Sequence, residues 1–184
     1  LGLKNFSLRI IIGGHGGQGV LTLGKLFSYA AIEEGLEVSS LPTYGAEMRG
    51  GYIFSTVVVS NKEIATPVIS QADVGIFLDP FSFQYLKGKV REGGLFILNS
   101  SLIKKIKEEE GKAFLEVPAT EIAERMGDNR LTNMVVAGYF VKKVHQFIPS
   151  LPKNLLSLES LTKSLSHLFS PKLIPLNEKA LNYG

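Results

Sequence analysis

The chain alternates between short continuous apolar runs and longer stretches whose apolar residues recur every three or four positions. Leu8-Arg9-Ile10-Ile11-Ile12-Gly13 reads as a buried first strand that ends at glycines. Over residues 18–34, Val20, Leu23, Phe27, Ala30 and Ala31 fall on one helical face, and Gly35 stops the helix. Residues 37–41 predict a short second strand ended by Pro42. Residues 52–60 are β-branched and aromatic and predict a third, running into a turn at Ser60-Asn61-Lys62. Residues 74–78 and 95–98 predict two core strands, each followed by a polar element, Asp79-Pro80 and Asn99-Ser100-Ser101. Residues 113–117 predict one more strand.

The last third reads as helical. Residues 120–126 end at Gly127, with Glu121 and Glu124 early, where the helix dipole favours acids. Residues 131–147 are apolar on most sides, which predicts a helix buried within the domain or against a partner. Ser157 is a candidate cap for a helix that places Leu158, Leu161, Leu165 and Leu168 on one face. Strand and helix alternate through the first two-thirds, which predicts an α/β class: a three-layer Rossmann-like domain with a mostly parallel sheet. A length of 184 residues suits a single domain over 1–184, with a core at about 8–148 and a C-terminal helical segment at about 157–184.

Composition narrows the function classes. At 45% hydrophobic and 20% charged, the chain is not disordered. No apolar run approaches the roughly 18 residues that cross a bilayer. The longest, 134–141, is cut off by Lys142-Lys143. Without a charged, apolar, small-residue leader at the start, a cytoplasmic location is expected. The chain has no cysteine, so no disulfide, catalytic thiol, Cys-ligated zinc or ordinary iron–sulfur cluster can reside in it. Its three histidines, at 15, 145 and 167, show no HxH or HExxH spacing, so no transition-metal site is expected. A formal charge of +3 without a dense basic block predicts neither nucleic-acid nor membrane binding. Lys104, Lys105 and Lys107, followed by Glu108, Glu109 and Glu110, read as a solvated helix face.

Two loops carry candidate chemistry. Gly14-His15-Gly16-Gly17-Gln18-Gly19 fits G-x-G-x-x-G between a strand and a helix, where glycines let backbone N–H groups approach a phosphate at a helix N-terminus. The same glycines also serve tight strand-to-helix packing without a ligand, and His15 reads equally as a solvated loop residue. A dinucleotide enzyme places Asp or Glu at the end of its second strand, but here that strand ends Val38-Ser39-Ser40-Leu41-Pro42, without an acid. A P-loop fails too, because Leu26 stands where Ser or Thr must hold Mg²⁺.

The second loop is Thr43-Tyr44-Gly45-Ala46-Glu47-Met48-Arg49-Gly50-Gly51, at the end of the second strand. Arg49 is suited to a phosphate or carboxylate and Glu47 to orienting it; the two equally make a structural ion pair. Asp73, Asp79 and Asn99 lie near strand ends, where turn capping accounts for them as well as a cleft does.

Taken together, the two loops resemble the γ subunit of 2-oxoacid:ferredoxin oxidoreductases. The strand Val57-Val58-Val59-Ser60, Ala72-Asp73, Val117-Pro118-Ala119-Thr120-Glu121-Ile122-Ala123 and Asn133-Met134 agree with it, and the similarity runs from about Arg9 to the C-terminus. The resemblance implies a multi-subunit enzyme. It converts a 2-oxoacid to an acyl-CoA with thiamine diphosphate, passing electrons through iron–sulfur clusters to ferredoxin. The implied partners are alpha, beta and ferredoxin-like delta subunits and ferredoxin, with a homodimer open to the isolated chain. Thiamine diphosphate and the clusters are then carried by other subunits, and this chain is inactive alone.

The wording of residues 44–51 is similar to 2-oxoglutarate-type rather than pyruvate-type members, although indolepyruvate and branched-chain enzymes have similar parts. Joined to the reading of the loops, the resemblance makes Gly14, Gly16, Gly17, Gln18, Gly19, Tyr44, Glu47, Arg49, Gly50 and Gly51 candidates for a coenzyme A site, with no catalytic base or nucleophile in the chain. Two other readings stay open: a free-standing nucleotide-binding oxidoreductase, and a non-catalytic scaffold with an exposed apolar patch, for which the 131–147 helix is a candidate.

Overall fold

A computed structural model describes residues 5–43, 51–104 and 111–183. Six strands form one sheet: β1 (Ser7–His15), β2 (Glu37–Thr43), β3 (Tyr52–Ser60), β4 (Ala72–Phe77), β5 (Val90–Asn99) and β6 (Ala113–Val117). Their order is β2-β3-β1-β4-β5-β6. β1, β4, β5 and β6 are parallel neighbours, whereas β3 runs antiparallel to both β1 and β2. Five of the six strands therefore point the same way, and the expected mostly parallel α/β sheet is what forms. Ile10, Ile12, Val57, Val59, Val74, Ile76, Leu95 and Ile97 bury one face, and the alternate positions Ile11, Phe77, Phe96 and Leu98 bury the other.

The first face lies under α1 (Val20–Glu33), α3 (Ala119–Arg125), α4 (Thr132–Phe147), α5 (Leu158–Ser164) and α6 (Ile174–Tyr183). α4 is apolar all round because it sits between the sheet and α6, with Met134, Val135, Val136, Ala137 and Phe140 fully buried. Its apolar surface is thus used within the chain and forms no exposed patch. At Gly138 the two helices touch backbone to backbone: a Cβ there lies 2.1 Å from the Leu181 carbonyl oxygen. The C-terminal helices share this core with the strands, and a carboxylate anchors them. Glu34, closing α1, accepts hydrogen bonds from Leu156 N–H (2.8 Å), Ser157 N–H (2.7 Å) and the Ser160 hydroxyl. Ser157 caps α5 through the Ser160 N–H, as its position predicts.

Among the described residues the second face carries one α-helix, α2 (Pro80–Leu86), which begins at the polar element Asp79-Pro80, where the sequence predicts a turn cap. The same two residues start a helix instead. Asp79 Oδ1 accepts from Phe81 N–H (2.9 Å) and Ser82 N–H (3.0 Å), and Pro80 occupies the first turn, where its missing donor costs nothing. The charged run at Lys105, Lys107 and Glu108 to Glu110 lies outside the described residues.

Asp73 caps no turn. It sits at the amino end of β4, nearly buried, and accepts from the Arg9 backbone N–H (2.8 Å), Arg9 Nε (3.1 Å) and Arg91 Nε (2.6 Å). Burial pushes its carboxyl up, but the Arg9 and Arg91 hydrogen bonds outweigh that and hold it below the ordinary value of 3.8. Replacing Asp73 with Asn is expected to cost about 2 kcal/mol of stability at pH 7. A carboxylate whose pKa is depressed by folding contributes fully above its unfolded pKa and loses that contribution as pH falls. Urea titrations should therefore show the gap between wild type and variant closing below about pH 4.

Candidate functional site

The carboxyl ends of β1 and β4 lie side by side. From β1 the chain crosses to β2 on one side of the sheet, and from β4 it crosses to β5 on the other. This is a topological switch point, where open α/β sheets gather ligands. The glycine loop forms its rim, and its glycines divide by role. A Cβ at Gly13 lies 2.7 Å from Leu86 Cδ1 of α2, one at Gly14 lies 2.8 Å from Gln18 Oε1, and one at Gly19 lies 2.3 Å from Asn133 Nδ2. These three let the strand and α1 close on their neighbours. A Cβ at Gly17 meets nothing within 4 Å, yet its φ of 92° favours glycine. Gly19, at φ 77°, is the N-cap of α1, and no side chain caps that helix.

Gln18 turns inward. Its Oε1 accepts from His15 N–H at 2.7 Å, and its Nε2 donates to the Leu78 carbonyl at 3.3 Å. Its backbone N–H donates to the His15 carbonyl at 3.1 Å, so the residue closes the turn on itself. Asn133, at the start of α4, is 3% exposed and donates through Nδ2 to the Gly19 carbonyl at 3.2 Å. Asn99, almost fully buried, donates to Leu78 O (3.0 Å) and Thr120 Oγ1 (2.8 Å). A buried Asn that opens an apolar helix, as Asn133 does, is the sequence signal for this contact. Nothing in the sequence paired Asn99 with Thr120.

The structure joins the two predicted loops. Gly16 N–H donates to the Gly51 carbonyl at 2.7 Å, and a Cβ at Gly51 (φ 79°) lies 3.4 Å from the His15 Nε2. The exposed His15 ring packs edge-on against Tyr52, 5.3 Å between centroids, and its Nδ1 lies 3.0 Å from the Gly16 carbonyl. Tyr44, Glu47, Arg49 and Gly50 lie outside the described residues, so of the second loop only Thr43 and Gly51 are described. Among the described residues no group of three or more His, Asp or Glu is placed to hold a metal ion, and no helix is long and apolar enough to cross a membrane. The arrangement offers an anion an uncapped helix N-terminus behind a glycine turn.

Residues 9–184 match the family described as pyruvate ferredoxin/flavodoxin oxidoreductase, and the chain belongs to that family. It is similar to the ketoisovalerate oxidoreductase subunit VorA of Methanothermobacter marburgensis, 34% identical over 96% of this chain and 36% of that subunit. It is also 30% identical to the common gamma subunit of the pyruvate/ketoisovalerate oxidoreductases of Thermococcus kodakarensis, over 91% of this chain and 89% of that one. The 2-oxoglutarate:ferredoxin oxidoreductase of Magnetococcus marinus, solved with 2-oxoglutarate, coenzyme A and succinyl-CoA bound, shares the fold. Its TM-score is 0.81 at 24% identity, covering 97% of this chain and 30% of that one. The chain thus spans about a third of VorA and of the Magnetococcus chain, and most of the free-standing gamma subunit.

The inward Gln18 gives a test of how the loop is held. Gln18→Ala removes both hydrogen bonds and should destabilise the fold by about 1–2 kcal/mol. Amide exchange should quicken at His15 while the α1 amides keep their protection. Unchanged exchange at His15 would show that the clasp does not hold the loop.

Proposed function

We propose that the chain is the gamma-type component of a 2-oxoacid:ferredoxin oxidoreductase, acting as one unit over residues 1–184 in the cytoplasm and binding coenzyme A at the joined loops. One observation carries this reading. The Gly16–Gly51 backbone hydrogen bond brings the two loops together at the switch point of the sheet, beside an uncapped helix N-terminus. Coenzyme A presents a diphosphate and a 3′-phosphate, anions suited to backbone donors and to a guanidinium. Gly14, Gly16, Gly17, Gln18 and Gly19 supply the turn, and Arg49, oriented by Glu47 and flanked by Tyr44, Gly50 and Gly51, supplies the charge. The Magnetococcus relative, which binds coenzyme A, supports the reading by analogy of fold.

The chain's own part is binding and orientation. An iron–sulfur cluster does not fit it, because with no cysteine in the sequence the ordinary thiolate ligands are missing. Decarboxylation needs an electron sink, which thiamine diphosphate supplies when bound to a partner subunit. The alpha and beta subunits and a ferredoxin-like delta subunit are the partners in this reading, and the chain is inactive alone.

A free-standing dinucleotide enzyme is disfavoured by the sheet. Antiparallel β3 lies between β1 and β2, so the strand that should carry a ribose-binding acid is not the neighbour of β1.

The finer reading, 2-oxoglutarate to succinyl-CoA, rests on residues 44–51, while the relatives above are named for ketoisovalerate and pyruvate as well. The native complex, assayed with a panel of 2-oxoacids and a ferredoxin acceptor, should show the highest kcat/KM on 2-oxoglutarate; a branched-chain or pyruvate optimum replaces the finer assignment and leaves the coarser one. In that complex Gly16→Val, whose side chain crowds the Gly51 carbonyl 3.2 Å from the Cβ position, and Arg49→Ala should each raise the KM for coenzyme A about tenfold, roughly 1.4 kcal/mol. If only the yield of assembled complex falls, the loops are packing elements and the chain is a scaffold.

A further inference from the structure

α1 does not fill the corner it makes with the edge of the sheet. Leu21, Lys25, Ser28, Tyr29 and Ile32 recur at three- and four-residue spacing and form one stripe along the helix, lining a cleft of about 360 Å³. The edge strand β2 meets this stripe with Ser40 and Pro42, and β3 meets it with Ser55, side chains too small to close the gap. Ile32 consequently stays 57% exposed. The polar groups of the cleft are idle. Ser55 is 2% exposed, yet its hydroxyl has no hydrogen-bond partner among the described residues. A hydroxyl buried in that way is costly unless something else satisfies it. Gly24 leaves it uncovered, since a Cβ there lies 2.9 Å from Ser55 Oγ. The Ser40 and Tyr29 hydroxyls and the Lys25 ammonium are likewise without a partner among the described residues. Ser28 donates to the Gly24 carbonyl at 2.8 Å, which leaves its oxygen free to accept.

The lining selects the charge and shape of an occupant. Lys25 brings one positive charge, and no carboxylate among the described residues lines the cleft. The neighbouring acids of α1 are engaged elsewhere: Glu33 lies 3.7 Å from His167, and Glu34 accepts from Leu156 and Ser157. Leu21, Ile32, Pro42 and the Tyr29 ring make the rest of the wall apolar. One ammonium with a few hydroxyls matches a single carboxylate, whereas a phosphate dianion needs more donors than this wall holds. We propose that the cleft between α1 and the β2–β3 edge binds a small amphipathic monocarboxylate. Lys25 holds the carboxylate, the Ser40 and Ser55 hydroxyls donate to its oxygens, and the apolar body lies against Leu21, Tyr29 and Ile32. Ligand cavities span roughly 300–1,000 Å³, so this one, at the small end, takes an aryl or branched alkyl body. None of the glycines of the turn lines the cleft, and the inference goes beyond the function proposed above without resting on it.

Equilibrium dialysis of the full chain against radiolabelled hydrocinnamate and isocaproate, one aryl and one branched acid, tests this. Wild type should bind at least one of them saturably with a Kd of about 1 mM or tighter, ordinary for so small a ligand. The matching neutral alcohol should compete about tenfold more weakly, because it offers Lys25 no charge. Lys25→Gln, on an exposed side chain, should weaken the acid about tenfold and bring acid and alcohol level. Ser55→Ala removes the idle hydroxyl and little volume, so it should weaken the acid about threefold or more while Tm holds or rises. Lys163→Gln, exposed on α5 and paired with Glu159 at 2.7 Å, should bind as wild type does. Circular dichroism of all three variants should match wild type. Saturable binding of neither acid, equal binding of acid and alcohol, or wild-type affinity in both Lys25→Gln and Ser55→Ala each overturns the site. All of these outcomes leave the proposed function standing.

Discussion

The carbonyl of Leu78, just past the end of β4, is the acceptor on which the candidate site depends. It takes hydrogen bonds from Gln18 Nε2 (3.3 Å) and Asn99 Nδ2 (3.0 Å), while the N–H of the same residue donates to Gly13 O at 2.9 Å. One residue thus ties the ends of β1, β4 and β5 to the loop. Both lone pairs of a buried carbonyl are used, which is the arrangement that leaves least unsatisfied polarity at a sheet end. Asn99 extends the tie to Thr120 at the start of α3, and Asn133 extends it from Gly19 to α4. The glycine turn is therefore fixed from behind by three elements distant in sequence, and its outer face is left to a ligand or partner.

That division explains why Gly13, Gly14, Gly16, Gly17, Gly19 and Gly51 are not interchangeable. Gly13, Gly14 and Gly19 stand where a Cβ strikes a neighbouring side chain at under 3 Å, and Gly17 and Gly51 stand at positive φ on the open side. Gly16 belongs to the second kind by contact, since its N–H reaches the Gly51 carbonyl. The packing reading of the motif holds for Gly14 and Gly19, and the ligand reading has only the open-side glycines to draw on. Pre-organisation of the open side by the packed side is what lets a backbone turn bind an anion without losing further conformational entropy.

Much of the architecture is legible in the chain. Buried strands show as apolar runs, and α1 and α4 show as 3.6-residue periods with apolar faces, because each buries most of its length. α2 has no clear signature in the chain, because Phe81-Ser82-Phe83-Gln84-Tyr85-Leu86 is too short for a period to emerge and Asp-Pro starts turns and helices alike. Strand order is set by which faces bury together over long sequence separations, so the insertion of β3 between β1 and β2 has no local signal. At the site, the sequence marked the two loops but not their direct hydrogen bond. It gave no hint that the Gln18 side chain faces the Leu78 carbonyl rather than solvent, since an amide serves either purpose.

The sheet order also changes what the G-x-G-x-x-G pattern can mean. In a dinucleotide fold the strand after the first helix returns beside β1, and an acid at its end meets the ribose. Here the crossover from β1 passes over β3 to reach the edge, so β2 ends two strands away and hands the chain to the segment that returns at Gly51. That return brings the Gly51 carbonyl to the Gly16 N–H of the glycine turn. The same antiparallel strand that removes the dinucleotide geometry carries Tyr52, whose ring meets His15 of the glycine turn. One topological change thus sets both which strand neighbours β1 and what packs against the loop.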